Sequence, residues 1–444
     1  MARRYFGTDG VRGRVGDAPM TVDFTLRLAS AAARVLAPAG GKVIIGKDTR
    51  VSGYMFESAL EAGFVAAGVD VWLTGPIPTP GIAYLIKHNG NSFGVVISAS
   101  HNPYEDNGIK FFDRTGEKLS DELEERIEEE MDRGVQTQAS NRLGKARNAS
   151  ALLDAYQDFC ATTVPGGIDL TGMKLVIDCA NGAGFKVGPR LMAALGADVI
   201  PVGCSPNGRN INDGCGSTSP GLLQLTVPGV NAACGIALDG DGDRLVMVDH
   251  LGRLIDGDQL LYIIARDRAE RGELSGPVVG TVMSNLGLEI ALREAGIGFR
   301  RAKVGDRYVL ALMKEHGGVI GGETSGHILC LDRTSTGDAL VSALQVLAVM
   351  KRTGQTLAQL AAGMSKFPQV MLNVRVAQRF DPLTVPTVVS TVAAVEKELA
   401  GNGRVVLRAS GTEPVIRVMV EGRDAATTAA CAERIATAVK HATA

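Results

Sequence analysis

The stretch Ile236-Ala-Leu-Asp-Gly-Asp-Gly-Asp-Arg-Leu-Val-Met-Val248 places three closely spaced acids between two apolar runs. Asp239, Asp241 and Asp243 alternate with glycines, so an extended backbone points all three carboxylates the same way. Three oxygen ligands with open positions beside them suit Mg²⁺, which keeps water or substrate phosphate in its shell. The stretch therefore predicts two buried strands joined by a magnesium-binding loop.

Two alternatives explain this stretch less well. A calcium-binding EF-hand loop needs glycine at its sixth position and glutamate at its twelfth, where this chain has Arg244 and His250. A solvated acidic turn is disfavoured because two buried strands rarely enclose three unpaired acids.

Composition and length predict an ordinary globular chain of several domains. The 444 residues exceed what one hydrophobic core supports, and contents of 45% hydrophobic and 21% charged residues are typical. A formal net charge of −2 disfavours nucleic acid as a partner. Seven cysteines without a CxxC pair predict a reducing compartment. The first residues lack the apolar core of a signal peptide, and no apolar run reaches membrane-spanning length. We expect a cytoplasmic protein with no membrane partner.

Short apolar runs alternate with helical patterns through most of the chain, which predicts α/β layers. Helices are expected over Gly53–Gly68 and Ser120–Arg133, the second capped by Ser120 and carrying its glutamates on a solvated face. The polar stretch 136–150 predicts a connection. Four runs predict buried strands that end in polar or glycine-rich loops, namely Lys42–Gly46, Gly94–Ser98, Lys174–Asp178 and Pro277–Thr281.

The pattern changes after Lys366–Gln369, which breaks the α/β rhythm. Strands are expected near 370–376, 404–407 and 415–420, followed by a helix over Ala425–His441. This antiparallel pattern predicts a last domain of a different kind.

The stretch Ser98-Ala-Ser-His-Asn-Pro103 follows a predicted buried strand, where α/β proteins often carry their chemistry. The hydroxyl of Ser100 beside His101, in a turn fixed by asparagine and proline, is typical of an exposed nucleophile. A serine-rich turn with a capping histidine explains the same residues equally simply. A hydrolase elbow, GxSxG, is absent. If Ser100 attacks phosphorus, the three aspartates supply the cation that screens the phosphoryl oxygens.

Two further loops carry binding chemistry. In Gly321–His327, a frame of glycines presents Glu323, Ser325 and His327, groups that can bond to sugar hydroxyls or an amine. An ordinary glycine turn is the alternative. The stretch 408–417 instead has the composition of a phosphate-binding loop, with two permanent charges, two hydroxyls and a glycine amide. The residues concerned are Arg408, Ser410, Gly411, Thr412 and Arg417.

Arginines also stand in the glycine-bearing loops Phe6–Gly13 and Gly46–Arg50. We expect the nearby acids, Asp9 and Asp48, to form salt-bridged turns. Arg12 and Arg50 are expected to reach the loop of Ser100 as supporting residues.

These motifs resemble those of the α-D-phosphohexomutases over essentially the whole chain and in the same order. The four are the phosphoserine loop Ser98–Pro103, the metal loop Asp239–Arg244, the sugar loop Gly322–His327 and the phosphate loop Arg408–Arg417. The opening residues and the stretch from Ala99 to Phe112 are most similar to bacterial members that act on glucosamine phosphates.

The resemblance implies an α/β fold with the four-domain phosphohexomutase architecture. Three related mixed α/β domains and a smaller C-terminal α+β domain would surround a central cleft. The implied domains are 1–150 with the phosphoserine loop, 151–253 with the metal loop, 254–366 with the sugar loop and 367–444 with the phosphate loop.

The resemblance also implies interconversion of glucosamine 6-phosphate and glucosamine 1-phosphate, on the route to UDP-N-acetylglucosamine and peptidoglycan precursors. One Mg²⁺ per chain would be held by Asp239, Asp241, Asp243 and a phosphorylated Ser100. The phosphoserine would make a bisphosphorylated sugar that turns over in the cleft, while the phosphate loop holds the other phosphate. Domain movement would use Lys366–Gln369 as a hinge.

Some roles stay open at this point. Arg244 would neutralise charge at the transfer site, and His101 would act either as a proton shuttle or as a phosphate ligand. Ala409 and Thr324 depart from residues common in the family, and Thr324 is expected to alter sugar contacts slightly. Rival functions are a phosphomannomutase or phosphoglucomutase, a silent sugar-phosphate sensor and a metal-dependent phosphatase. The protein would be a monomer or homodimer.

Overall fold

The computed structural model describes residues 3–377, 380–409 and 414–442, which form four β-sheets with helices packed on them. The strands are β1 (Val11–Arg14), β2 (Gly41–Lys47), β3 (Val69–Pro76), β4 (Phe93–Ile97), β5 (Asp106–Phe112), β6 (Ala146–Asn148), β7 (Lys174–Asp178), β8 (Asp198–Val202), β9 (Cys234–Leu238), β10 (Leu245–Asp249), β11 (Leu254–Ile255), β12 (Val278–Thr281), β13 (Phe299–Ala302), β14 (Ile320–Gly322), β15 (Ile328–Cys330), β16 (Gln369–Arg375), β17 (Gly403–Ala409) and β18 (Val415–Gly422).

Helices lie between most of these strands. They are α1 (Val22–Leu36), α2 (Ser52–Ala66), α3 (Thr79–Asn89), α4 (Asp121–Met131), α5 (Leu152–Thr162), α6 (Val187–Ala194), α7 (Gly221–Gly229), α8 (Gly257–Glu270), α9 (Leu286–Glu294), α10 (Asp306–His316), α11 (Ala339–Thr353), α12 (Leu357–Ala361), α13 (Pro386–Leu399) and α14 (Ala425–His441).

The first three sheets are mixed. Their strand orders are β1-β5-β4-β2-β3-β6, β11-β10-β9-β7-β8 and β13-β12-β14-β15, each with a parallel centre and an antiparallel edge. The fourth sheet, β16-β18-β17, is antiparallel throughout and packs against α13 and α14. Three mixed α/β sheets and a smaller α+β unit confirm the fold class that the sequence predicts.

The apolar cores show which units are joined. One continuous core runs through the second and third sheets and reaches α3, whereas the outer side of the first sheet has a core with α1, α2 and α4. The fourth sheet has a core of its own, formed with α13 and α14. The C-terminal unit is therefore packed as a separate body.

Most predicted elements are confirmed. The predicted strand Lys174–Asp178 and the predicted helix Ala425–His441 have the bounds that the sequence indicated. Helix α4 begins after Ser120, whose hydroxyl accepts from the N–H of Leu123 as expected of an N-cap.

Two expectations are wrong. Residues 146–148 of the presumed connection form strand β6, which pairs in parallel with β3. Two glutamates of α4, Glu124 and Glu128, are buried rather than solvated. The Glu128 carboxylate accepts from three successive backbone N–H groups, those of residues 4–6. This contact fixes the N-terminal segment on α4, and apolar spacing alone could not reveal it.

Among the described residues, no helix combines the length and the apolar character needed to cross a membrane.

Candidate active site

Ser100 lies in a buried turn directly after β4. Its backbone is in the left-handed region, with φ of 52°, and its side chain is almost wholly enclosed. The Ser100 hydroxyl donates to Asp239 Oδ2 at 2.5 Å, across 139 residues of sequence. Its backbone carbonyl accepts from Arg50 at 3.2 Å and from Asn212 at 2.9 Å. A strained residue held on several sides at a loop tip is typical of a functional position.

A buried ion pair between Asp48 and Arg50 packs against this turn. Asp48 and Arg50 are paired and wholly buried, and Asp48 accepts from the Ser98 hydroxyl at 2.5 Å. The Ser98 hydroxyl in turn accepts from the N–H of Ser100 at 2.9 Å. Arg50 also donates to the carbonyl of Asn102 at 2.5 Å. Asp48 lies in a salt bridge, and Arg50 contacts the serine loop through its carbonyls.

The three aspartates of the β9–β10 hairpin converge beside Ser100. Asp239, Asp241 and Asp243 are buried, and each offers a carboxylate oxygen within 4.8 Å of the others. Burial, together with repulsion from its two neighbours, raises the pKa of Asp239 well above its usual range. Burial also opposes the charge of Asp243, but the positive groups around it, His327, Lys110 and Arg244, together outweigh burial and lower that pKa. Three enclosed carboxylates this close need a cation between them.

The oxygen set fits a hard divalent cation. Oδ1 of Asp241 and Oδ1 of Asp243 are buried and have no hydrogen-bond partner in the part of the chain that the structure describes. Oxygens that are hidden from water and unpaired within the protein are available as metal ligands. The site can therefore hold Mg²⁺, with Asp239, Asp241 and Asp243 as ligands.

A buried lysine also faces the aspartates. Lys110 of β5 lies with its Nζ 2.7 Å from Asp241 Oδ2, 3.0 Å from Asp9 Oδ2 and 3.9 Å from Asp243 Oδ2. Burial opposes its charge, but these carboxylates raise its pKa. The sequence analysis missed Lys110. A lysine between Ile109 and Phe111, in a run of buried strand residues, was the available signal.

A second layer of charge joins the first and third sheets. Lys118 bridges Asp9 at 2.6 Å and Asp306 at 2.5 Å. His327 lies between Asp243 and Asp306, 3.6 Å from each, and these acids overcome its burial to raise its pKa to about 9. Asp9 also pairs with Arg12, as expected of a salt-bridged turn. The network connects the metal loop to α10, and the role of Asp306 in it was not predicted.

A cavity of about 360 Å³ opens in front of this network. Its walls combine cationic side chains, which suit phosphate, with acids and backbone amides, which suit sugar hydroxyls. Among the described residues, the lining comes from the first three sheets and their loops: Tyr5, Gly7, Thr8, Asp9, Gly10, Arg12, Lys118, Asp243, Arg244, Val304, Gly305, Asp306, Glu323 and His327.

His101 and Arg244 are two further predicted site residues near the metal loop. His101 Nδ1 is 3.4 Å from Ser100 Oγ, and burial with the nearby charges of Arg244 and Arg12 lowers its pKa to about 4. Arg244 lines the cavity, and its Nε lies 3.9 Å from Asp243 Oδ1. His101 is thus within reach of a group on Ser100 Oγ, and Arg244 adds positive charge to the cavity wall.

The predicted sugar loop is divided between the cavity and the interior. Glu323 lines the cavity and accepts from the N–H of Gly305 at 3.0 Å, while Ser325 is exposed. Thr324 instead donates to the buried carboxylate of Asp258 at 2.8 Å. The Thr324 hydroxyl is thus engaged with the interior, and its expected slight effect on sugar contacts stays a prediction.

The predicted phosphate loop lies in the fourth sheet. Arg408 and Arg417 face each other across β17 and β18 as a registered pair. Burial and the charge of Arg417 lower the pKa of Arg408. Two paired arginines bring two positive charges to this end of the sheet. Ser410, Gly411 and Thr412 lie outside the described residues.

A buried serine, three converging acids of which two have a free oxygen, and a cavity lined by arginine and lysine define a metal-assisted phosphoryl-transfer site. The family models agree. Those for the phosphoglucomutase/phosphomannomutase α/β/α domains I, II and III match residues 3–138, 154–252 and 256–367, and that for the C-terminal domain matches 371–438. The chain belongs to this family, and the matched ranges are called domains I to IV below.

The individual relatives are more specific. The chain is 57% identical to the phosphoglucosamine mutases of Burkholderia pseudomallei and Burkholderia thailandensis, with all of each chain covered. Among solved structures, it is similar to a phosphoglucomutase/phosphomannomutase family protein from Burkholderia thailandensis, with a TM-score of 0.80, 24% identity and coverage of 98% and 97%. It is also similar to Aspergillus fumigatus N-acetylphosphoglucosamine mutase in complex with GlcNAc-6P and magnesium, with a TM-score of 0.70, 21% identity and coverage of 99% and 96%.

Proposed function

We propose that the protein interconverts glucosamine 6-phosphate and glucosamine 1-phosphate. The observation that carries the reaction type is the contact between Ser100 Oγ and Asp239 Oδ2, at 2.5 Å, beside two unpaired carboxylate oxygens. The full-length similarity to proteins named phosphoglucosamine mutase supports the choice of amino sugar.

The proposed cycle begins with phosphorylated Ser100. Mg²⁺, held by Asp239, Asp241, Asp243 and a phosphoserine oxygen, would neutralise charge on the phosphoryl group and so make it easier to attack. The phosphoryl group passes from Ser100 to the free hydroxyl of the sugar phosphate. The sugar oxygen forms a bond to phosphorus as the bond between phosphorus and Ser100 Oγ breaks, and the proton lost by the sugar hydroxyl ends on Ser100 Oγ.

Fixed cations then support the charge of the transferring group. Lys110 reaches the carboxylate cluster from one side, while Arg244 and Arg12 line the cavity on the other. Because these charges are set by folding, they cost no reorganisation when phosphate moves. His101, at 3.4 Å from Ser100 Oγ, keeps both of its candidate roles, as proton shuttle or phosphate ligand.

The bisphosphorylated sugar must next turn over, so that Ser100 recovers the other phosphate. Both orientations need one anchor for the phosphate that does not react. Arg408 and Arg417 form that anchor in this proposal, together with Ser410, Gly411 and Thr412. Glu323, Ser325 and His327 would contact the sugar, although His327 is already engaged by two acids.

The domain limits at 150, 253 and 366 remain a prediction, as do the hinge at Lys366–Gln369 and the monomeric or dimeric state. A sugar phosphate is the proposed substrate in the cleft, and cytoplasmic location stays an expectation.

Turnover of three substrates tests the proposal. Protein loaded with phosphate on Ser100 is supplied with Mg²⁺ and with glucosamine 6-phosphate, glucose 6-phosphate or mannose 6-phosphate. We expect kcat/KM to be highest for glucosamine 6-phosphate. Equal or better rates with the neutral sugars would favour a phosphoglucomutase or phosphomannomutase, and steady release of inorganic phosphate would favour a phosphatase. No turnover of any sugar by the loaded protein would favour a sensor.

A further inference from the structure

The loop between β12 and α9 forms hydrogen bonds with the C-terminal domain. The carbonyls of Val282 and Ser284 accept from the two terminal nitrogens of Arg404, at 2.8 and 2.5 Å. Glu421, whose side chain is wholly buried, accepts from Arg404 Nε at 2.6 Å and from the N–H of Leu286 at 2.9 Å. Domain IV thus presents a fixed ion pair to the backbone of domain III.

Asn285, in the same loop, holds the segment that leads into domain IV. Its Oδ1 accepts from the N–H of Phe367 at 3.0 Å, and its Nδ2 donates to the carbonyl of Phe367 at 3.0 Å. Oδ1 also accepts from the N–H of Gly287, which caps α9. A Cβ on Gly287 would lie only 1.9 Å from the carbonyl oxygen of Ser365. The segment is therefore fixed by close packing and by a two-way amide contact.

Asp258 of α8 joins this loop to the sugar loop. Its Oδ2 accepts from the N–H of Asn285 at 2.8 Å and from the hydroxyl of Thr324 at 2.8 Å. The carbonyl of Thr324 accepts from the N–H of Gly257, at 3.1 Å. Asp258 is fully buried, so these bonds are shielded from water. A continuous path of hydrogen bonds leads from the sugar loop through Asp258 and Asn285 to Phe367.

We propose that Asp258 and Asn285 are positioning residues that keep domain IV aligned with the sugar loop. Neither side chain lines the cavity; they act through Thr324 and Phe367. The inference rests on the proposed mutase function, in which a bisphosphorylated sugar must turn over without escaping. The β12–α9 loop is joined to the sugar loop through Asp258 and to the segment before domain IV through Phe367. These contacts limit how far domain IV moves away from the sugar loop during that step.

The variant Asn285→Asp tests the Phe367 contact with little other change. Aspartate keeps the oxygen that accepts from Gly287 and Phe367, and it is a good helix cap. Its second oxygen, however, would face the Phe367 carbonyl, where asparagine donates a hydrogen bond. The matched control is Asn148→Asp, at an exposed position of β6 where the side-chain oxygen accepts from the N–H of Ser150 at 2.8 Å, a contact that aspartate keeps.

The main measurement is loss of activity during turnover, using Ser100-phosphorylated protein, Mg²⁺ and glucosamine 6-phosphate. An escaped bisphosphorylated sugar leaves Ser100 unphosphorylated, so activity falls until the bisphosphate is supplied again. We expect N285D to lose activity about tenfold faster per turnover than wild type, in line with one lost and one repulsive contact. Added glucosamine 1,6-bisphosphate should restore it, and N148D should resemble wild type. Equal decay in N285D and wild type would overturn the inference.

Hydrogen exchange provides a second readout that does not need catalysis. Glucosamine 6-phosphate should slow exchange in the peptide around Phe367 in wild type and N148D. In N285D this protection should be about threefold weaker. If wild type turns over no sugar phosphate, the proposed function fails, yet the exchange result still decides the coupling. The same protection in all three proteins would overturn it.

Discussion

The serine–metal junction and the attachment of domain IV are built differently. Gly240 of the metal loop passes so close to the serine loop that a Cβ would lie 2.5 Å from the carbonyl oxygen of Ser100. Asn212 adds hydrogen bonds to the carbonyls of Ser100 and Asn102. Domain IV instead has its own core and meets domain III through the β12–α9 loop. Ser100 and the metal loop are thus interlocked, while the proposed phosphate anchor belongs to a body with a separate core.

The largest effect is expected from Ser100→Ala, which removes the proposed nucleophile from the fixed junction. Mutase activity should fall at least about 1,000-fold, because the residual binding groups cannot replace a covalent step. Ser335→Ala, which removes a hydroxyl bonded to the carbonyl of Gly116, is the control. Intact-protein mass should show a phosphoryl group on wild type and on S335A, but not on S100A. An active S100A protein would contradict the mechanism.

Removal of one metal ligand should have the next largest effect. Asp241→Asn is expected to lower activity about 100-fold and to raise the Mg²⁺ concentration for half-maximal rate, because a neutral amide replaces a charged ligand. Chelation of Mg²⁺ in wild type should abolish turnover reversibly.

Asp249→Asn is the matched control, at the other end of β10, where Asp249 binds Arg253. It should alter the thermal midpoint but not the Mg²⁺ dependence. The same Mg²⁺ dependence in D241N and wild type would place the cation elsewhere.

Arg408→Lys tests the role of domain IV as the phosphate anchor. Lysine keeps the charge but loses the two-pronged contact to phosphate. We expect KM to rise about tenfold, with a smaller change in kcat. Arg434→Lys, on the outer face of α14 and paired with Glu398, should leave both constants unchanged. A fall in kcat alone would show that Arg408 acts in the chemical step and not as an anchor.

The smallest expected effect is on the pH dependence of stability, through a buried carboxyl group in the core between domains II and III. Asp338 caps α11 and accepts from the Tyr156 hydroxyl at 2.9 Å, and burial raises its pKa to about 6. The folded state therefore retains this proton up to a higher pH than the unfolded state. Its stabilising contribution is complete below the unfolded pKa, near 4, and is lost as pH rises through 6.

Asp338→Asn cannot ionise, so it should not show this loss. We expect its thermal midpoint, relative to wild type, to be a few degrees more favourable at pH 7.5 than at pH 4.5. A constant difference between the two proteins across this range would contradict the role of Asp338.

The sequence predicted the local structure well because its motifs follow buried apolar strands. The metal loop lies between β9 and β10, and the serine loop follows β4, as the apolar runs around them indicated. The meeting of Ser100 and Asp239 rested on a chemical hypothesis and on resemblance to a family, since no local pattern gives a distance between two sheets.

Other features were beyond a sequence argument for a physical reason. The carboxylates of Glu124 and Glu128 look solvated on a helical wheel, yet the N-terminal segment and an arginine of α10 cover them. In the sequence, Lys110 is an isolated charge within a strand, whereas in the structure its ammonium group contacts Asp9 and Asp241. Thr324 lies between two predicted sugar-binding residues in the sequence, but its hydroxyl donates to Asp258. In each case the partner is distant in sequence.

The interlocking of Gly240 with the turn of Ser100 also has a consequence for biosynthesis. The nucleophile leaves the ribosome well before its acidic partner, which follows 139 residues later. Until the second domain emerges and docks, a nascent chain has a serine without its acids and cannot run the reaction. The chain order thus delays phosphoryl chemistry until much of the molecule has been made.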